Sequence, residues 1–211
     1  MKVFVGHDPG KEGWVSWIDQ DGNYLGSAQQ PLLSKTKGDT YDRYGMVGLV
    51  REIGGFGWGE KRSNIAAWTI EEQQPGAGVG TASAKSIGMQ QRGYGYWLGI
   101  LAALEITLFE VRPQAWRKHH GVTQPRYPKE AQPFDKKPTK REKDKLEKWK
   151  AWEKRERQRL DKQRKEGLAG AVKRAQQLFP GVDLRRNEKC KVPSPDKAIS
   201  LLLADYGRSR G

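Results

Sequence analysis

A short apolar run that closes on Asp8, an Asp21-Gly22 turn between two further apolar runs, and a Leu-rich stretch opened by Ser194-Pro195 predict an α/β fold. The expected architecture is a mixed sheet flanked by helices, with a charged helix inserted into it. Residues 2–7 form the first expected strand, ending at Asp8-Pro9-Gly10, and residues 13–18 the second. Asp-Gly is a strong hairpin signal, so a third strand follows through Tyr24 to Ala28. Tyr44, Val47, Val50 and Ile53 recur at helical spacing across 41–53, and Gly54-Gly55 stops that helix. The unbroken apolar run 65–70 is a buried type of strand that delivers Glu71.

A glycine-rich loop occupies 75–80. The next helix is expected over 83–104, with Ile87, Gln91, Tyr94, Leu98 and Leu101 on one face. A strand at 107–111 precedes a short helix that starts on Pro113, where a missing N–H costs little. The composition then shifts. Residues 125–138 are rich in proline and charge. Residues 139–166 are dominated by Lys, Arg and Glu, with Trp149 and Trp152 as the main apolar points. This pattern predicts a polar, exposed helix, since its apolar stripe is too thin for a core helix. Globular spacing returns at Leu168, Val172, Ala175 and Phe179 and stops at Pro180-Gly181. In the last helix Ser194 is the N-cap, Pro195 holds the first helical position, Leu201, Leu202, Leu203 and Tyr206 bury it, and Gly207 ends it. The chain therefore divides as a single domain over 1–211 with a basic helical insertion at 125–166.

The 211 residues suffice for one ordinary core, and the formal net charge of +14 points to a polyanionic partner. A single cysteine, Cys190, excludes an intrachain disulfide framework and fits a reducing, cytoplasmic setting. No apolar run reaches the length of a membrane span, and the N-terminal run reads as a strand rather than a signal peptide.

Three acids carry the chemistry. Asp8 ends the first strand, where Pro9-Gly10 turns the chain away from its side chain, although Asp-Pro-Gly is also ordinary turn chemistry. Glu71 ends an apolar strand before a loop of small residues. Glu72, next to it, points to the opposite side by strand alternation. Asp196 sits in the first turn of the last helix, where an acid also meets the helix dipole favourably. It shares a helical face with Ile199 and Leu203, which directs it inward. Three inward acids are costly unless a cation neutralises them, and a divalent metal does so with oxygen ligands. Arg117 and Lys118 are candidates for phosphate contact, as is Lys197. Trp149 and Trp152, three apart on the basic helix, can stack on a base or dock on the body. His7 alternates away from Asp8. No spacing among His7, His119 and His120 reads as a zinc site, so solvated or backbone-bonded roles are expected. The loop Gly76-Ala77-Gly78-Val79-Gly80 lacks the Lys-Ser/Thr of a phosphate-cradling loop, so no nucleotide cofactor is expected.

The motif order resembles the RuvC-like Holliday junction resolvases of the RNase H-like superfamily. The matching stretches are residues 3–10 with Gly13-Trp14, Thr69-Ile70-Glu71, the helix with Gly93, Gly95 and Gly99, residues 111–118, Leu178-Phe179-Pro180 and residues 196–207. The resemblance implies an RNase H-like sheet and a crossover junction endodeoxyribonuclease, of a phage or bacterial type, acting in DNA recombination and repair. It implies that Asp8, Glu71 and Asp196 hold Mg²⁺ or Mn²⁺, in all two ions, one activating water and the other stabilising the leaving oxygen. It further implies a homodimer on branched DNA, with the helix near 83–104 at the interface and Gly95-x-x-x-Gly99 permitting close approach. One position departs from the pattern. Ile199 stands where such resolvases carry a second acid on the last helix, and Asp205, nine residues after Asp196, is half a turn out of phase. A non-cleaving junction binder of the same fold is therefore an alternative, and a ribonuclease H acting on RNA–DNA hybrids is another. An actin-like ATPase would need a second phosphate motif that the chain does not show.

Overall fold

The computed structural model describes residues 1–10, 13–33, 41–57, 63–73 and 84–211. The glycine-rich loop 75–80 and the expected helix start at residue 83 lie outside the described residues. By contacts the chain divides into two compact units. One comprises residues 1–121 and 171–211, and the other residues 122–170.

The larger unit is built on a five-stranded mixed sheet. Its strands are β1 (Val3–Asp8), β2 (Trp14–Asp19), β3 (Tyr24–Gln29), β4 (Ile65–Glu71) and β5 (Leu108–Val111), in the order β3-β2-β1-β4-β5. β2 runs antiparallel to β1 and β3, while β1, β4 and β5 are mutually parallel. This order and pairing is the RNase H-like arrangement. The β2–β3 turn closes on Gly22 at φ 87°, and the Asp19 carboxylate accepts hydrogen bonds from the backbone N–H groups of Asp21 and Asn23.

Strand alternation gives the sheet two distinct faces. On one face Val3, Val5, Val15, Ile65, Trp68 and Ile70 pack against helices α1 (Arg43–Gly54) and α2 (Ala84–Ala103). α1 is capped by the Asp42 carboxylate, which accepts from Gly45 N–H at 2.9 Å, and ends on Gly55 in the left-handed region. Its core side is Met46, Leu49, Val50 and Ile53. Tyr44, expected to face inward, is instead 83% exposed, because the helix is rotated to present Met46 and Leu49 to the sheet. On α2 the core residues are Tyr94, Trp97 and Leu101, with Leu98 only partly buried beside them. His7 also belongs to this face. The expectation of a solvated or backbone-bonded ring is corrected here: His7 is fully buried, edge-on to Trp97 at 4.5 Å, and burial pushes its pKa down to about 3. A neutral imidazole in that place behaves as a core aromatic.

The other face packs against the last helix. Between α2 and that helix the chain forms α3 (Pro113–His120) and α4 (Lys143–Leu178). That last helix, α5 (Pro195–Arg208), starts as expected, with Pro195 in the first turn and the Ser194 side chain accepting from Lys197 N–H. It packs against β1, β2 and β4 with almost every side chain buried. The approach is close enough that a Cβ on Gly6 would run into the Ser200 carbonyl and the Ala204 backbone nitrogen. A Cβ on Gly207 would run into the Thr69 hydroxyl. Ser16, paired with Gly6 across β1 and β2, meets Ser200 Oγ at 2.6 Å.

α4 agrees with the expected polar, exposed helix, starts at Lys143 and runs on through the globular spacing to Leu178. It is one helix of 36 residues. Gly167 and Gly170 do not break it, since a lone glycine costs a helix only about 1 kcal/mol. Within the unit 122–170 an irregular chain supplies partners for the polar helix. The Arg155 guanidinium donates to both Glu130 oxygens at 2.9 and 2.7 Å, Arg159 donates to the Tyr127 carbonyl at 2.8 Å, and Tyr127 OH donates to Glu166 at 2.6 Å. Trp152 is buried there and donates Nε1–H to the Glu130 carbonyl at 3.2 Å, with Trp149 at 5.2 Å.

Gly6→Ala is expected to lower stability by about 3 kcal/mol, since backbone on the α5 side leaves no flexible side chain to yield. Urea unfolding followed by circular dichroism measures this. A loss below about 1 kcal/mol would show that α5 sits further from β1 than described.

Candidate functional site

Asp8 and Glu71 occupy the C-terminal ends of neighbouring parallel strands, one step past the paired residues His7 and Ile70. Both follow in alternation from residues that face α5, Gly6 and Thr69, so both point to that side of the sheet. Asp196 lies in the first turn of α5. The three acids expected to act together are thus delivered by three elements to one rim, and the charges of Glu71 and Asp196 both act on Asp8. Their oxygens do not all come within 4.8 Å of one another; among the described residues the group of three potential ligands that does is His119, His120 and Asp205.

Each carboxylate is held differently. Asp8 is half-buried, and Gly10 N–H approaches its Oδ1 at 3.4 Å. Burial, then the negative charges of Glu71 and Asp196, raise its pKa well above the ordinary aspartate value, against the pull of Gly10 N–H and Arg117. Glu71 accepts the Trp116 indole N–H at 2.8 Å. Burial raises its pKa, while that hydrogen bond and the Arg117 charge oppose the rise. Asp196 is more open, with the Arg186 guanidinium 3.9 Å away. Glu72 instead meets Arg112 at 3.1 Å on an exposed surface.

Of the basic and aromatic candidates, Arg117 is half-buried, stacked on Trp116 at 5.2 Å, and acts on both Asp8 and Glu71. Lys118 is exposed on α3. Lys197 is buried with its ammonium 5.1 Å over the Trp14 ring, so it packs the start of α5 rather than reaching solvent. Trp149 is half-buried and Trp152 buried within the unit 122–170, which makes Trp152 a packing residue there. Ile199 is buried in the α5 core. Trp116, fully buried, was not foreseen as a partner of Glu71, and Arg186 was not foreseen beside Asp196. The Val-x-Pro-x-x-Trp spacing that starts α3 was the available signal for Trp116.

Three carboxylates at one rim are a donor set that suits a hard divalent cation. The rise in the Asp8 pKa comes first from burial and then from the charges of Glu71 and Asp196, and a bound cation would oppose both.

The class defined by fold and site is an RNase H-like α/β domain bearing an acid cluster at the ends of its two central parallel strands. Among solved structures it is similar to RuvC of Thermus thermophilus. A structure of that protein in complex with Holliday junction substrate has a TM-score of 0.49 and 10% identity, covering 97% of this chain and 90% of that one. A second Thermus thermophilus RuvC structure has a TM-score of 0.48 and 12% identity, covering 96% and 90%. Strand order and register, not these likenesses, carry the fold assignment. No family model matches the chain, and no curated protein matches it. No helix among the described residues is long and apolar enough to cross a membrane.

A carboxyl whose pKa is raised by folding stabilises the fold below its unfolded pKa and loses that contribution as pH rises through its folded pKa. Without divalent metal, Asp8→Asn is therefore expected to melt above the unsubstituted protein at pH 7, with the difference vanishing below about pH 4. Scanning calorimetry across pH in chelator reads this directly. A lower melting temperature for Asp8→Asn at pH 7 would mean that the carboxylate is better compensated than its surroundings indicate.

Proposed function

We propose that this protein is a metal-dependent, structure-selective endonuclease that hydrolyses phosphodiester bonds in four-way DNA junctions. The observation that carries the reading is the convergence of Asp8, Glu71 and Asp196 at one rim of a strongly basic chain. The choice of a branched substrate rests on the resemblance of motif order to the RuvC-like resolvases. Asp8, Glu71 and Asp196 would hold Mg²⁺ or Mn²⁺. Bound there, divalent ions supply a nucleophilic water and charge stabilisation for the leaving oxygen.

The chain's own residues set up the rest. Trp116 fixes one Glu71 oxygen with its N–H and leaves the other to ligation. Arg117, stacked on Trp116, adds a positive charge beside the acids, suited to a phosphate oxygen as it arrives. Lys118, exposed on the same helix, offers a second phosphate contact. The excess of Lys and Arg over 122–170 supplies sequence-independent attraction to a phosphate backbone. Ile199 adds no fourth acid and is buried, which keeps the non-cleaving junction binder as the second reading.

Asp8→Asn and Glu71→Gln are each expected to abolish nicking of a synthetic four-way junction in Mg²⁺. The loss should exceed the roughly tenfold to hundredfold that changes behind a ligand cost. Junction binding in gel shift should persist. Binding without nicking in the unsubstituted protein would favour the second reading, and cleavage of RNA–DNA hybrids but not junctions would replace the substrate.

The homodimer belongs to the same proposal. Gly95 and Gly99 on α2 have open space at their Cβ positions and line an apolar groove with Tyr44, Val47 and Ile100. A second copy seated there would bring α2 against its counterpart. Gly99→Arg is expected to give a monomer by light scattering with unchanged helical content. An unchanged mass would move the interface elsewhere.

A further inference from the structure

A second cluster of potential ligands lies away from the acids, where α3 ends against the late turns of α5. His119 is exposed, His120 is buried, and Asp205 lies between them in exposure. One ligand atom from each falls within 4.8 Å of the others. Two imidazoles and a carboxylate form a donor set that zinc-like ions favour over Mg²⁺, which prefers oxygen alone.

We propose that His119, His120 and Asp205 bind a Zn²⁺-type ion that fastens α3 to α5. The orientation of His120 is the first support. Its Nε2 lies 2.7 Å from the Leu202 carbonyl, and a carbonyl only accepts, so Nε2 carries the hydrogen. The other nitrogen, Nδ1, is turned to Asp205 Oδ2 at 3.9 Å, too long for a hydrogen bond. A histidine that donates one N–H to a backbone carbonyl and presents its other nitrogen to a site is the usual support for a metal ligand.

Asp205 is prepared in the same sense. Its Oδ1 accepts from Arg208 Nη2 at 2.7 Å, which fixes the carboxylate and leaves Oδ2 toward the ring. His119 stands edge-on to His120 at 4.7 Å and to Tyr206 at 5.2 Å, which holds it over the same point. Being exposed, it also gives an ion a way in from solvent. Ligands about 2.0–2.1 Å from tetrahedral zinc sit about 3.4 Å apart, so sub-ångström side-chain rotation closes the set around an ion, with water in the fourth position. The positive charges of Arg208 and Arg174 act on the cluster and hold the affinity below that of a closed four-ligand site.

The placement gives the ion a use. Asp205 is nine residues beyond Asp196, about 13 Å along α5, so this site is separate from the acid rim. On α3 it lies one turn beyond Trp116, which holds Glu71. An ion there would lock the helix that orients Glu71 onto the helix that carries Asp196.

The test uses the untagged full-length protein in saturating Mg²⁺, so that the acid rim is already supplied with its preferred ion. Co²⁺ is then titrated and the visible absorption of a tetrahedral nitrogen–oxygen site is followed, with Zn²⁺ as competitor. We expect a band that Zn²⁺ displaces, and a rise in melting temperature with Zn²⁺. His119→Gln and Asp205→Asn should each weaken binding by at least about tenfold, while Asp8→Asn and Cys190→Ser leave it intact. Because His119 is exposed, its variant should melt like the unsubstituted protein in chelator, which separates lost binding from lost folding. The absence of a band, a band that persists in both His119→Gln and Asp205→Asn, or one lost in Asp8→Asn would overturn the proposal. In the first two cases His120 and Asp205 would be a plain imidazole–carboxylate contact, and the nuclease reading would stand independently.

Discussion

The contact on which the site depends is backbone against backbone, where α5 lies on β1 across Gly6. No side chain separates the strand from the Ser200 carbonyl and the Ala204 nitrogen. The same close seating recurs on the adjacent strand β4, where Gly207 admits the side chain of Thr69, the residue paired with Gly6, and on the other side of Gly6, on β2, Ser16 and Ser200 share a buried hydrogen bond at 2.6 Å. These three points fix the height, the tilt and the register of the helix on the sheet. An apolar face of leucines alone would tolerate sliding, because hydrophobic contact is non-directional. Glycine clearance and a paired hydroxyl do not. The first turn of α5 is thereby held over the C-terminal ends of β1 and β4, where Asp196 comes within electrostatic reach of Asp8. Any residue larger than glycine at position 6 would lift the helix and take the acid with it.

Such precision serves to hold groups that repel. Asp8 is crowded by Glu71 and Asp196 and by its own burial, and all of these raise its pKa. The opposing supports are specific. Trp116 gives Glu71 an indole N–H, and Arg117 lends its charge to both acids from the next residue. Neither group is a carboxylate ligand in itself, yet removing the Trp116 N–H would leave a buried acceptor unsatisfied at a cost of about 1–3 kcal/mol. α3 is therefore a positioning element, and its short length suits it to that task. Eight residues between Pro113 and the left-handed Gly121 deliver one tryptophan and one arginine to the rim. The apolar Ile199 continues the packing face of α5 directly behind Asp196, so the helix meets the rim with a single acid and anchors itself with everything after it.

How much of this could be read from the chain follows from the range of the forces involved. Strand ends, the Asp21-Gly22 turn, the Ser194-Pro195 start and the alternation that separates Glu71 from Glu72 are local or period-two properties, and the structure agrees with each. What failed to show was decided by contacts across the chain. Lys197 is a phosphate-contact candidate by sequence, but its ammonium lies over Trp14, a residue 183 positions earlier that pairs with Asp8 across the hairpin. His7 alternates away from the rim as expected. What lies on its other side, the indoles of Trp68 and Trp97, belongs to β4 and α2. Helical period placed Tyr44 on the same stripe as Val47 and Val50, yet the sheet selects Met46 and Leu49 instead. Period finds an apolar side but not the few tens of degrees of rotation that choose its centre.

The long helix shows the same limit in the opposite sense. From composition, residues 139–166 have too little apolar surface to hold a helix against anything. The structure resolves this by giving the polar face its own partners. Glu130 takes the Arg155 guanidinium in a two-point pair, Tyr127 bridges to Glu166 and to Arg159, and Trp152 closes over the Glu130 carbonyl. Exposed ion pairs are screened by solvent and contribute little, so the buried indole and its backbone hydrogen bond carry more of the order than any single pair. This divides the helix by task. The tryptophan that sequence would offer to a nucleobase is used to fold the segment, while Lys143, Lys148 and Lys150 remain exposed on it. Under the proposed function, attraction to a polyanion would rest on these solvent-facing ammonium groups rather than on stacking. That mode of contact follows a phosphate backbone by charge and is indifferent to base identity.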